Sequence, residues 1–482
     1  MAHGPPDRQS PPNAGDVITL RLDSLAAGGE AVARHNGLAV FVECGAPGDR
    51  AQVRITHTAS NFARGVIETL VEPGPARVAA PCPYFPACGG CQWQHLDYAF
   101  QVRAKEQILR ESFARISGRD PQSMGPAVAM AHPFDPGEST PWRYRGVAEY
   151  SVAAEAEGAR APALGFLRAH SSEVIPVADC LVQHPLNVEV LRATNDWLAR
   201  NGAGELWLVR SRTSFAEERA LVTLVSRASD AAAEGLAQHL LRALPAVAGV
   251  SALVARSRRD QHRRLSQHIA GEEFIFDEIA GRRYRVGADT FFQVNPQQAG
   301  RLVALVQEMA QLRPREVVVD AYCGAGVFLL ALAEQSEQAI GIESNPAAVR
   351  DARANLRRAG LTNAAVVREK VERALPFMVR HGPRHQDLAA PHVYPERSRR
   401  DVPLRMAHVV VLDPPRQGCG KQVINAAAAL GPRAVVMVSC DSATLARDAA
   451  LLAERGYALR RSVVVDLFPH CWRVESVTLC ER

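Results

Sequence analysis

Two apolar runs, each stopping at a reactive polar residue, constrain this chain more than any other feature. Val409-Val410-Val411-Leu412 ends at Asp413-Pro414-Pro415-Arg416, and Ala434-Val435-Val436-Met437-Val438 ends at Ser439-Cys440. Apolar runs without polar alternation read as strands buried on both faces, the signature of a parallel sheet covered by helices. In an open α/β sheet, ligands bind outside the carboxyl ends of such strands. An acidic Pro-Pro loop and a thiol are therefore expected to face one crevice. A free cysteine is by itself more often a buried packing residue, so the reading of Cys440 depends on its surroundings.

Upstream, Val317-Val318-Val319-Asp320 leads into Ala321-Tyr322-Cys323-Gly324-Ala325-Gly326, with a helix expected from Val327. A glycine pair between a strand and a helix permits a tight turn and close approach of a ligand to the backbone. The next strand, Gln338–Ile342, ends in Glu343, about twenty residues past the turn, where a nucleotide-binding fold places its ribose-binding carboxylate. Val327, Phe328 and Leu329 follow Gly326, so the third glycine of a dinucleotide site is missing and a smaller adenosyl ligand is expected. The pattern continues with a helix over Pro346–Arg358, strands over Ala364–Val367, His408–Leu412 and Ala434–Val438, a helix over Ala443–Ala453, and closing strands over Arg461–Leu467 and Val474–Leu479. This order, with its antiparallel-looking final pair, resembles the Rossmann-like fold of S-adenosylmethionine-dependent methyltransferases across roughly the last 190 residues.

Five motifs in sequence sharpen the resemblance: Phe291-Phe292-Gln293-Val294-Asn295-Pro296, the Asp320–Gly326 turn, Asp413-Pro414-Pro415-Arg416, Val438-Ser439-Cys440, and Phe468-Pro469-His470 followed by Glu475. Together they resemble the RNA (uracil-5-)-methyltransferases. The resemblance implies that Cys440 adds to C6 of a uracil, turning the weakly nucleophilic C5 into an enolate-like carbon. It implies Glu475 as the base that removes the C5 proton. It assigns Gln293, Tyr322 and Glu343 to the cofactor and Asp413 to the uracil or the cofactor edge. Cys323 reads as a small packing residue. The chain departs from the family pattern at Cys471 and Arg473, where Thr and His are usual, and Glu369 is the nearest substitute for an acidic residue expected near the adenine.

Before these motifs, Cys82, Cys88 and Cys91 lie within ten residues. The chain has ten cysteines and no secretory signal, so clustered thiols read as metal ligands, with zinc and an iron–sulfur cluster both open on spacing alone. Relatives carry a 4Fe–4S cluster with a more distant fourth ligand, which Cys180 matches, and this points to the ribosomal-RNA branch of the family. Between Gly15 and Pro73, short strand-like runs such as Val17–Leu22 and Leu38–Val42 suggest a small barrel resembling the TRAM domain, an OB-like RNA-binding module. Asn61–Gly65 is expected to set an aromatic and a cation on one loop, suiting base stacking.

The implied architecture is multidomain. A tail over 1–14 precedes a TRAM-like barrel over 15–74 and a central α+β domain with the iron–sulfur site over 75–280. The α/β methyltransferase domain over 281–482 carries an inserted loop, 380–405. Net charge is only +5, but Trp142–Arg145 and the arginines at 256, 258, 259, 263 and 264 form local basic patches suited to phosphate. No apolar run is long enough to span a membrane. A cytoplasmic, monomeric enzyme acting on 23S ribosomal RNA is expected, with transfer RNA as the alternative substrate. A cytosine-C5 enzyme would carry a cysteine after the motif's prolines and an amino-methyltransferase a tyrosine, and Arg416 stands there instead. A catalytically silent RNA-binding protein would not need Cys440 and Glu475.

Overall fold

The structure, a computed structural model, describes residues 11–135, 137–153, 161–228, 231–261, 264–381 and 407–482. The expected inserted loop falls almost wholly on 382–406, and most of the expected tail on 1–10, outside the described residues. Two compact units divide the chain. One comprises the residues up to Ile108 together with Phe468–Arg473, and the other comprises Leu109–Leu467 with Val474–Arg482.

The first unit opens with a six-stranded sheet in the order Val17–Arg21, Arg50–Thr58, Phe62–Glu72, Leu38–Glu43, Ala31–His35, Ser24–Leu25. Its pairings are antiparallel except between Leu38–Glu43 and Phe62–Glu72. Strand Arg50–Thr58 shows why it forms: Ala51, Val53 and Ile55 are buried while Arg50, Gln52 and Arg54 are exposed, the two-residue period of a one-sided strand. Buried Asp49 ties the exit of this sheet, accepting from the backbone N–H groups of Ala46 and Gly74, both at 2.7 Å, and pairing with Arg77.

In the second unit, a seven-stranded sheet runs in the order Val174–Pro176, Ala163–Leu167, Val147–Ala153, Leu206–Thr213, Ala220–Ser226, Val247–Val254, Gln267–Gly271. A hairpin of Phe274–Ile279 and Arg282–Gly287 then leads to the catalytic sheet. Its strands are β1 (Val317–Ala321), β2 (Gln338–Glu343), β3 (Ala364–Arg368), β4 (Val409–Leu412), β5 (Ala434–Ser439), β6 (Ala458–Val465) and β7 (Glu475–Glu481), in the order β3-β2-β1-β4-β5-β7-β6. The first five are parallel, and β7 is antiparallel to both β5 and β6. Every residue of β4 and β5 is buried, as expected of strands covered on both faces.

The helices of this region are α1 (Val327–Ala333), α2 (Pro346–Arg358), α3 (Val371–His381), α4 (Gly420–Ala429) and α5 (Ser442–Ala453). Strand β6 begins at Ala458 rather than Arg461 and stops at Val465, because Leu467 N–H turns back to the Val465 carbonyl at 2.8 Å. Outside β6 lies the short strand Ser123–Met124, parallel to it, and the hydrogen bonds continue on either side: Gln122 N–H to Leu459 O, Gly125 N–H to Ser462 O and Val128 N–H to Val464 O. No described helix is long and apolar enough to cross a membrane.

Candidate active site

Cys440 follows β5 directly and precedes α5 by one residue. The turn between them is fixed locally. Ser439 Oγ accepts from Asp441 N–H at 3.2 Å, and the Asp441 carboxylate caps α5 by accepting from Thr444 N–H at 2.8 Å. Helix α5 also holds the Pro-Pro-Arg loop, since Thr444 Oγ1 donates to Arg416 O at 3.2 Å and Arg447 to Gln417 O at 2.9 Å. The loop turns at Gly418, with φ +73°, where a Cβ would meet the Arg447 and Asp448 side chains at 2.5 Å. One helix thus carries both the thiol turn and the cation beside it.

The β5–β7 register pairs Ser439 with Ser476, so the next positions outward are Cys440 and Glu475. On its other side, Glu475 pairs with Val465 of β6. Asp413 follows β4, with its N–H donating to Ala321 O at 3.3 Å. Thiol and carboxylates therefore occupy one end of the sheet, and their charges are felt mutually. Burial pushes the Cys440 thiol up to about 12, with Glu475 and Asp413 adding to the rise and Arg416 opposing it. Burial raises Asp413 to about 7. Glu475 is held well above the usual carboxylate range by burial and then by Asp413. Asp320, fully buried inside β1, is likewise raised by burial and then by Asp413. Neighbouring buried carboxylates cannot all ionise cheaply, so each raises the cost of ionising the next.

The glycine turn lies at the end of β1. Tyr322 takes φ +68°, Gly324 +53° and Gly326 +90°. Beside Gly324 a Cβ would find only Phe291 O, at 4.0 Å, so a ligand can approach the backbone there. Glu343, closing β2, accepts from Gly324 N–H at 3.1 Å through one oxygen and from Ser344 and Asn345 N–H at 2.6 and 2.7 Å through the other. A carboxylate fixed in this way keeps acceptor capacity for ribose hydroxyls. The Tyr322 hydroxyl donates to Glu372 at 3.3 Å, a partner that sequence reasoning missed. These residues suit an adenosyl ligand. Glu369, the expected adenine-side acid, donates its N–H to Glu343 O at 3.1 Å.

Gln293 is partly buried and borders a small cavity with Arg212, Thr213, Asp277 and Phe292. Arg212 donates to Thr290 O at 2.8 Å, supporting the segment that carries Phe291 and Gln293. The rest of the motif is an anchor that the sequence did not announce. Asn295 caps helix Pro296–Ala310 and donates to Leu467 O at 3.1 Å, while Gln298 donates to Asp466 O at 3.0 Å. Helix α2 completes the frame through Asn355, which donates to Ala325 O at 3.0 Å and accepts from Arg285 N–H at 2.6 Å.

The family model for tRNA (Uracil-5-)-methyltransferase matches residues 204–482, and a TRAM-domain model matches 13–67. The chain belongs to the RNA (uracil-5-)-methyltransferase family. RNA methyltransferases, themselves uncharacterized, are similar along their whole length: 30% identity with one from Halalkalibacterium halodurans, covering 98% of this chain and 99% of the relative. One from Caldanaerobacter subterraneus subsp. tengcongensis is 32% identical, covering 97% and 98%. The fold is similar to that of Pyrococcus abyssi tRNA (uracil-54, C5)-methyltransferase in complex with S-adenosyl-L-homocysteine, with a TM-score of 0.67 and 21% identity over 96% of this chain and 100% of that one. An RNA substrate, an amino-terminal TRAM domain and S-adenosylmethionine-dependent methyl transfer follow from family membership.

In this uracil-5-methyltransferase, Cys82, Cys88 and Cys91 lie in an irregular segment of the first unit, whereas Cys180 belongs to the second. None is in a disulfide, and all four are partly buried. Burial raises the Cys88 thiol, with Cys82 and Cys471 adding to the rise. Among the described residues, no three His, Cys, Asp or Glu side chains are grouped so as to hold a metal ion. The thiols suit a soft metal chemically.

The RNA-facing expectations divide. In the TRAM domain, Arg64 lies over Phe41 and Phe62 at 5.6 and 5.7 Å, an aromatic–cation cluster built on neighbouring strands rather than on the expected loop. At Trp142–Arg145, Tyr144 is buried and Arg143 is committed to Asp179 at 2.8 Å and to Cys180 O, so this run is largely framework. Of the downstream arginines, Arg264 pairs with Asp260 at 3.1 Å and Arg258 with Glu149 at 3.7 Å, while Arg263 lies outside the described residues.

Proposed function

We propose that this enzyme methylates C5 of a uridine in 23S ribosomal RNA through a covalent adduct on Cys440, with Glu475 as the base. The observation that carries the reading is the convergence of Cys440, Glu475 and Asp413 at one end of the sheet, with Arg416 held beside the thiol. The Cys440 thiol gives its proton to the ionised form of Asp413, which lies at the same end of the sheet and is made a stronger base by burial. The sulfur then bonds to C6, and the C5–C6 π electrons move toward C5 and O4. Arg416 and the amino end of α5 favour the anionic sulfur. S-adenosylmethionine, when bound, supplies the methyl group that C5 takes, and Gln293, Tyr322, Glu343 and Asp413 would hold it. The Glu475 carboxylate removes the C5 proton, the C5–C6 double bond re-forms, and Cys440 leaves as the thiolate. A carboxylate whose burial raises its pKa is the stronger base for that step.

The tail 1–14, barrel 15–74, central domain 75–280 and methyltransferase domain 281–482 are the functional divisions of this reading, in a cytoplasmic monomer. A 4Fe–4S cluster on Cys82, Cys88, Cys91 and Cys180 rests on the resemblance to relatives that carry one, since the thiol spacing by itself also admits zinc. Iron and sulfide in anaerobically purified protein would support it, and stoichiometric zinc without iron would overturn it.

RNA containing 5-fluorouridine tests the chemistry, because fluorine cannot leave as a cation in the base step. A protein–RNA species that survives denaturation is expected, and its absence removes the covalent mechanism. Mass spectrometry of RNA from cells lacking the gene is expected to show one 5-methyluridine missing from 23S RNA. Its loss from transfer RNA instead would transfer the same chemistry to that substrate.

A further inference from the structure

Between β6 and β7 the chain does not make a short hairpin, although neighbouring antiparallel strands can be joined by two residues. Nine residues, 466–474, connect them, and six of these, Phe468–Arg473, fold with the first unit. Lys105 Nζ donates to Phe468 O at 2.8 Å. His470 N–H donates to Gln101 Oε1 at 2.9 Å, and His470 O accepts from both Gln92 and Trp93 N–H at 3.0 Å. Gln101, itself fully buried, uses Nε2 to bond Trp93 O at 3.0 Å and Leu96 O at 2.9 Å. Cys471 Sγ donates to Gly90 O at 3.1 Å, and Trp472 packs against Gly29.

His470 is the strained point of this strap. It is 1% exposed and takes φ +65°, a left-handed conformation that is unfavourable for a residue carrying a side chain. Such a conformation persists where the surroundings over-determine it, and here both backbone polar groups of His470 are gripped. Two residues after the strap comes Glu475. With so little chain between, a shift of the strap is carried directly to the carboxylate, and a displacement near 1 Å costs an enzyme about 10²-fold.

We infer that Gln101 and His470 are positioning residues for proton removal from C5: they fix the approach of Glu475 without touching the reacting atoms. The inference rests on Glu475 being the base.

The test uses the full-length enzyme with RNA and four variants. His470→Val, which cannot easily take a left-handed φ, and Gln101→Ala should lower kcat about 10–100-fold, leave the KM for S-adenosylmethionine within about twofold, and accumulate methylated RNA attached to Cys440 on denaturing gels. His470→Gly should stay within a few-fold of wild type, because glycine takes φ +65° freely and keeps both backbone contacts. Gln101→Glu keeps the acceptor for His470 N–H and should fall between, which preserves a readout if the harsher variants do not fold. Loss of cofactor binding together with turnover, slow turnover without a trapped species, or a glycine variant no better than valine would overturn the inference. If Glu475→Gln itself traps nothing, the assignment of the base fails. If Glu475→Gln traps RNA and the strap variants do not, only the strap fails.

Discussion

Cys440 and Glu475 stand side by side at one end of the β5–β7 ladder, yet the chain delivers them in opposite ways. Cys440 is placed by its nearest neighbours: a buried strand before it, Asp441 capping a helix after it, and a helix that also secures the Arg416 loop. Glu475 arrives after a strapped excursion through the first unit, gripped by Gln101 and Gln92, more than 360 residues earlier in the chain. A nucleophile must present one atom reliably before anything else happens, and local rigidity suffices. A base that acts last can be set by distant parts of the molecule, which makes that step the one open to outside influence.

The sharpest way to break this contrast is to remove each group. Cys440→Ala should lower turnover by at least about 10³-fold, the scale of losing a covalent nucleophile, and abolish the 5-fluorouridine adduct while leaving cofactor affinity within a few-fold. Glu475→Gln should cost about 10²–10⁴-fold in turnover but retain methyl transfer and hold methylated RNA on the enzyme. Equal effects of both changes on adduct formation would erase the distinction between an early and a late residue.

A second test addresses the carboxylate that both groups share. Asp413 has its pKa raised by burial to about 7, above its ordinary value of 3.8, so the fold favours its neutral form. Its contribution to stability is intact below pH 4 and is lost as pH rises through 7. Asp413→Asn should therefore raise the melting temperature at pH 8 and change it little near pH 4. The gain is bounded by about 4 kcal/mol, at 1.4 kcal/mol per unit. A variant that is stabilised equally at both pH values would show that ionisation of Asp413 is not the cause.

The smallest effect should come from Asp441→Ala, which removes the cap of α5 at a cost of about 1 kcal/mol in thermal or denaturant unfolding. Because Cys440 adjoins that cap, adduct formation and release should fall together. A selective loss of release would place the control of the base in α5 and not in the strap.

Much of the catalytic sheet was legible. β4 and β5 are unbroken apolar runs, and α2 matches its expected span from Pro346 to Arg358. α3 and α4 were not foreseen: α3 contains Pro376, and α4 begins after Cys419 without a side-chain cap. The placement of Cys440 beside Asp413 follows from strand order, but its raised pKa follows from burial, which a sequence does not display. The anchors of the Phe291–Pro296 motif were hidden for another reason, since Asn295 bonds Leu467 and Gln298 bonds Asp466 about 170 residues away. At Trp142–Arg145 the sequence did not display that Tyr144 is buried and Arg143 engages Asp179, while Trp142 and Arg145 stay partly exposed.

The short strand at Ser123–Met124 has a practical consequence. With its flanking bonds from Gln122, Gly125 and Val128, it occupies the outer hydrogen-bonding edge of β6. The family match begins only at residue 204, so a fragment cut there would look complete by homology while lacking this cover. It would present a row of unpaired N–H and C=O groups, a template on which another chain can add. Such a fragment should self-associate through β6 and through Leu206–Thr213, which loses its partner Val147–Ala153, and restoring residues 109–203 should return it to solution.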